Sequence, residues 1–139
     1  MGNSNEGMIA HLSMIQGVVN RLETNSFTLK ALAMTLASAV LAFLGAVKNP
    51  NAIITAAGSL PIIIFWLMDA QYLRLGRIFR RLYDAVRQGD VSEPFSMDFR
   101  KYAPDEQSIL RIAFSWSVCW FYGAILVAFL TTSYFLLRP

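Results

Sequence analysis

Residues 112–137 read IAFSWSVCWFYGAILVAFLTTSYFLL, a run without Asp, Glu, Lys, Arg or His. A bilayer core about 30 Å thick is crossed by roughly 17–25 helical residues. In lipid a helix is one of the few structures that satisfies its own backbone. Two further charge-free stretches lie upstream, Ala31–Val47 and Asn49–Met68, each near the lower length limit. The chain therefore reads as all-α, an integral membrane protein with three transmembrane helices. A soluble bundle would have to bury a helix longer than soluble domains ordinarily hold.

The totals agree. The 139 residues leave room for one domain, and 55% hydrophobic against 15% charged residues is a balance tilted towards lipid. The N-terminus has neither a basic region nor an immediate apolar stretch, so no cleavable signal is expected. Met1-Gly2 does not fit myristoylation, because Glu6 stands where that motif wants Ser or Thr. The single cysteine, Cys119, lies inside the third apolar run, where it reads as a small packing residue.

Along the chain, Met8, Leu12, Ile15, Val19 and Leu22 recur at helical spacing, opposite Arg21, Asn20 and Gln16. This predicts an amphipathic helix over 8–24. Thr24-Asn25-Ser26 offers N-cap chemistry before span 1 (27–47). Lys48-Asn49-Pro50-Asn51 has the composition of a tight turn, making spans 1 and 2 (52–69) an antiparallel hairpin. Pro61 is expected to kink span 2 without ending it.

The helical pattern then continues over 70–89. Leu75, Ile78, Phe79, Leu82 and Val86 fall on one face, and Arg74, Arg77, Arg80, Arg81 and Arg87 on the other. Gly89-Asp90 should end this long cytoplasmic extension of the second helix. In the connector 90–103, Phe95, Met97 and Phe99 alternate with Ser96, Asp98 and Arg100. That pattern suits an extended segment with one apolar face, or equally a loop pinned by a few apolar contacts. Pro104, Asp105 and Glu106 make a favourable helix start, so a helix over 104–137 containing span 3 is expected.

Basic residues set the orientation. Between spans 2 and 3 lie the five arginines just named with Arg100, Lys101 and Arg111, against Lys48 and Arg138 on the other side. The positive-inside rule places the N-terminus in the cytoplasm and the C-terminus outside. Phe27, Trp66, Tyr72 and Trp116 then form an inner aromatic belt, and Tyr134 and Phe135 an outer one. The arginine face has three readings: anionic lipid headgroups, an acidic cytosolic partner, or nucleic acid, the last being least favoured.

The inventory does not suit an enzyme. His11 has no ligand or nucleophile spacing and reads as a polar-face residue, and Cys119 sits at a very different depth. No phosphate loop, carboxylate pair or metal pattern appears, so no cofactor or metal site is expected. The spans carry no ionisable relay, and Asp69 at the end of span 2 has Arg74 or Lys30 as an available partner. Small residues do stand four apart. Ala31-Thr35-Ala39 and Ser38-Ala42-Ala46 do so in span 1, and Ser115-Cys119-Gly123 and Ala124-Ala128-Thr132 in span 3. Such faces let helices approach in lipid, within a protomer or between protomers.

Arg21-x-x-x-Asn25-Ser26-Phe27, a run closing at Gly45, and Trp66 to Tyr72 with Leu75, Phe79 and Pro94-Phe95 together carry a resemblance. The chain resembles RipA-type octameric bacterial membrane proteins and, more distantly, SLATT-like two-span modules of anti-phage loci, over most of residues 8–95. The resemblance implies a homo-oligomer, of which a ring is one form, in a bacterial inner membrane. It also implies a membrane-perturbing effector role together with a separate sensor or other partner. The alternative drawn from the residues is a non-conducting scaffold that holds a cytosolic protein through Arg74–Arg87 and Phe95–Phe99.

Overall fold

The computed structural model describes residues 2–47, 52–90 and 95–137. All regular structure among them is helical: α1 (Gly2–Ala46), α2 (Ala52–Gln88), a 3-10 turn at Arg100–Tyr102, α3 (Ile109–Ala113) and α4 (Trp116–Leu137). Three of these helices, α1, α2 and α4, are long and apolar enough to cross a membrane. The turn expected at Lys48-Asn49-Pro50-Asn51 lies outside the described residues.

The amphipathic segment and span 1 form one unbroken helix, roughly 68 Å long at 1.5 Å per residue. Its buried side chains include His11, Ile15, Ser26, Leu29, Ala33, Ala37 and Leu44. Ile15, Ser26 and Ala37 are successively eleven residues apart, as are His11, Leu22, Ala33 and Leu44. An eleven-residue repeat corresponds to 3.67 residues per turn, so one face of a nearly straight helix stays turned towards its neighbour. The N-cap expected at Thr24-Asn25-Ser26 does not form. Thr24 instead donates its hydroxyl to the Asn20 carbonyl at 2.9 Å, and Ser26 points inward.

α2 runs antiparallel to α1: Gly58 meets Val40, Asp69 meets Lys30, and Arg80 meets Glu23. It continues through Pro61 and ends as expected at Gly89, whose φ of 75° is a left-handed C-cap. Asp90 N donates to Ala85 O at 2.9 Å and Gly89 N to Val86 O at 3.1 Å, the paired bonds of a Schellman motif.

Two apolar clusters hold the hairpin. In the charge-free half, Ala33, Ala37, Ile62, Val118, Tyr122 and Phe129 join α1, α2 and α4. In the arginine-bearing half, Ile15 and Val19 pack on Phe79, Leu82 and Val86, with Met97, Phe99 and Tyr102 laid across them. The connector is thus a loop pinned by apolar contacts; no strand forms among the described residues. Phe95 differs from the other alternating residues, being 51% exposed with a left-handed φ of 63°.

The helix expected over 104–137 starts later and is interrupted. Ser108 caps α3 by accepting from the Arg111 amide. The chain then breaks at Phe114–Ser115, where Ala113 O is taken by the Trp66 indole at 2.9 Å. Trp66, half-buried, stacks on Tyr122 with planes 5° apart. Phe27 and Trp116, by contrast, are strongly exposed.

Close packing at Gly58 generates a prediction. A Cβ there would lie 2.6 Å from Val40 Cγ1 and 3.0 Å from Phe129 Cζ, whereas one at Gly45 meets nothing within 4 Å. Gly58→Ala should lower unfolding stability by about 1–3 kcal/mol. Gly45→Ala should leave it unchanged or raise it slightly. Thermal unfolding of the two variants side by side checks the contact.

Candidate functional site

Three features carry chemistry: a buried polar tie, an arginine clamp and a set of unoccupied small-residue faces.

The tie joins α1 to α2. Ser26 and Lys30 are one helical turn apart, on the side of α1 that faces Asp69, whose carboxylate is fully buried. Lys30 Nζ donates to Asp69 Oδ2 at 2.5 Å and to Ser26 Oγ at 2.9 Å, and Ser26 Oγ donates to Asp69 Oδ1. Both carboxylate oxygens are therefore engaged. Lys30 keeps 23% of its side chain exposed and connects the cluster to the surface. Tyr122 is fully buried nearby and close enough to Asp69 for the two to interact. Of the two partners the sequence offered Asp69, the structure selects Lys30.

The five arginines of α2 do not form one solvated face. Arg74 donates to the Gln107 and Ala103 carbonyls, both at 3.1 Å. Arg77 and Arg81 reach the two oxygens of Glu106 at 3.7 and 3.1 Å, and the Glu106 side chain is only 4% exposed. Residues 103–107 are thereby fastened to α2, which explains why helix α3 does not begin at Pro104. Arg80 pairs with Glu23 of α1, and Arg87 with Asp84 at 3.5 Å within its own helix. Arg80 and Arg87 remain the most exposed of the set.

His11 is buried at 4% exposure, contrary to a polar-face role. Its Nε2 donates to the Ser96 carbonyl at 3.0 Å and its ring lies 5.7 Å from that of Phe95. The signal was present in the sequence: His11 is one turn before Ile15, on the buried side. His11 and Cys119 belong to different clusters, and no group of three or more His, Cys, Asp or Glu is placed to hold a metal among the described residues.

The small-residue faces lie outside the protomer's packing. Ser38, Ala42 and Ala46 are exposed along α1, and so are Ala31, Thr35 and Ala39. On α4 the inward side chains are Val118, Tyr122, Phe129 and Ser133. Ser115 is half-buried at the head of α4. Cys119 and Gly123, also half-buried, line an open apolar groove of about 600 Å³ with Phe114, Trp116 and Trp120. The small residues that do pack within the chain include Ala33, Ala37, Gly58, Ala70 and Ala113. Sequence reasoning did not single these out, although Ala33 and Ala37 have the same four-residue spacing.

The chain matches no family model, no curated protein and no solved structure.

The tie makes a quantitative prediction. Removing one member strands a buried polar group, so Lys30→Met or Asp69→Leu should cost about 3–5 kcal/mol. Lys30→Met/Asp69→Leu should cost clearly less than the sum of its parts. Simple additivity in this double-mutant cycle would show that the pair is not coupled.

Proposed function

We propose that this chain is a multi-pass protein of the bacterial inner membrane that works as a homo-oligomer, channel-like or membrane-perturbing, under the control of a partner. The observation that carries the assembly is that Ser38-Ala42-Ala46 and Cys119-Gly123 face away from the chain's own core. Lipid gives apolar side chains no drive to associate, so close approach through small residues is how helices pair there.

Membrane insertion is supported by what surrounds that core. In the most apolar window of α1, α2 and α4, only 22%, 22% and 17% of residues are buried within the chain. Phe27, Phe43, Ile53, Leu60, Leu130 and Phe135 all point outward. α4, at roughly 33 Å, fits a 30 Å hydrocarbon layer. With the positive-inside rule, the arginine-bearing half projects into the cytoplasm and the C-terminus lies outside.

Ile62, Val118, Tyr122 and Phe129 fill the space between the helices of one copy, so a conducting path belongs between copies. The resemblance to SLATT-like modules adds an effector role of the anti-phage type, triggered by a separate protein. A second proposal, a non-conducting anchor for a cytosolic protein, is favoured by the projecting half of α2 with exposed Arg87 and Phe95.

Mass measurement of the solubilised chain tests the assembly. A multiple of the 15.6 kDa protomer is expected, with Ala42→Leu/Gly123→Leu shifting it towards one copy. A single copy for the unaltered chain, in detergent and in nanodiscs alike, contradicts it. Dye release from vesicles, with and without candidate partner proteins, then separates the two roles: release in either condition is expected of the effector, and vesicles intact in both of the anchor.

A further inference from the structure

A second, smaller cavity of about 240 Å³ lies where the arginine-bearing half meets the charge-free half. We propose that it binds the phosphate of an anionic phospholipid headgroup, an inference that rests on the membrane placement proposed above.

Its walls combine basic and polar groups with the apolar side chains of Leu22 and Leu73. Arg77 and Arg80 come from α2, and Tyr72 lies about a turn before Arg77 on the same helix. Ser115 and Ser117 bring two hydroxyls from the head of α4. A guanidinium carries five N–H donors. Among the described residues, the ion pairs of Arg77 and Arg80 engage one nitrogen of each. Glu23 also lines the cavity and opposes an anion, but its carboxylate is committed to Arg80. Of the charged groups that line the cavity, Arg77 and Arg80 outnumber Glu23, and Glu106, which pairs with Arg77, is shared with Arg81.

Gly76 forms part of the wall, and a Cβ built on it would meet nothing within 4 Å. A larger side chain at that position would therefore enter the cavity. At this size the cavity falls below the roughly 300–1,000 Å³ of ordinary small-molecule sites, which suits a headgroup better than a nucleotide. A lipid is favoured over free phosphate by continuity. Ser115 in the cavity sits between Phe114 and Trp116, which are 70% and 79% exposed and line the apolar groove of α4. An anionic site and an acyl-chain surface thus share one short segment.

Quenching of intrinsic tryptophan fluorescence tests the site, using the full chain in vesicles that contain brominated phosphatidylglycerol or brominated phosphatidylcholine. The anionic lipid should be preferred, on the order of five-fold for each arginine in contact. The preference should collapse in Arg77→Gln/Arg80→Gln and in Gly76→Leu, and persist in the charge-matched Arg21→Gln/Lys101→Gln. Gly76→Ala replaces Gly76→Leu if the latter loses helical content. Equal quenching by both lipids overturns the site, as does a preference that survives loss of the arginine pair. Loss of the preference on adding millimolar inorganic phosphate assigns the site to free phosphate and overturns the lipid. Absence of quenching by either lipid overturns the membrane placement itself.

Discussion

A helix that is apolar on every side has to satisfy its backbone within itself and still find a medium for its outward side chains. α4 is such a helix: Val118, Tyr122 and Phe129 face inward while Trp120, Val127 and Leu130 face outward. The same holds for the charge-free halves of α1 and α2. Below that zone the pattern changes, and the hairpin becomes a pair of one-sided helices joined by Ile15, Val19, Phe79, Leu82 and Val86. Asp69, Lys30 and Ser26 lie at the change of regime. There a paired charge can be buried while the ammonium still touches the surface.

The functional proposal follows from which surfaces the protomer uses. Arginines at 74, 77 and 81 are spent on fastening residues 103–107, so they secure the strap that covers the hairpin's polar half. Arg80 bridges α2 back to α1. The small-residue faces of α1 and α4 remain turned outward from the protomer's core.

Much of this layout was legible in the sequence because it depends on local rules. Long uncharged runs give helix number, the Gly89-Asp90 stop follows from backbone preference, and Phe79, Leu82 and Val86 follow from periodicity. What was not legible depends on a partner far away in the chain. Ser26 reads as a cap until Asp69, 43 residues on, is seen to meet it. The partner of the Trp66 indole, Ala113 O, lies 47 residues on and is presented by a break in the helix that no local pattern announces. Pro104-Asp105-Glu106 is a sound local start for a helix, but Arg77 and Arg81 hold Glu106 in a turn instead. The cavity beside Gly76 is formed by three segments together and has no signature in any one of them.

Fractionation of cells expressing the chain is the most direct measurement, with isolated membranes washed in alkaline carbonate and the protein followed into pellet or supernatant. Retention in the pellet, with release only by detergent, is expected of helices whose outer faces need hydrocarbon. Recovery of the chain in the wash, folded and dispersed in plain buffer, would contradict it.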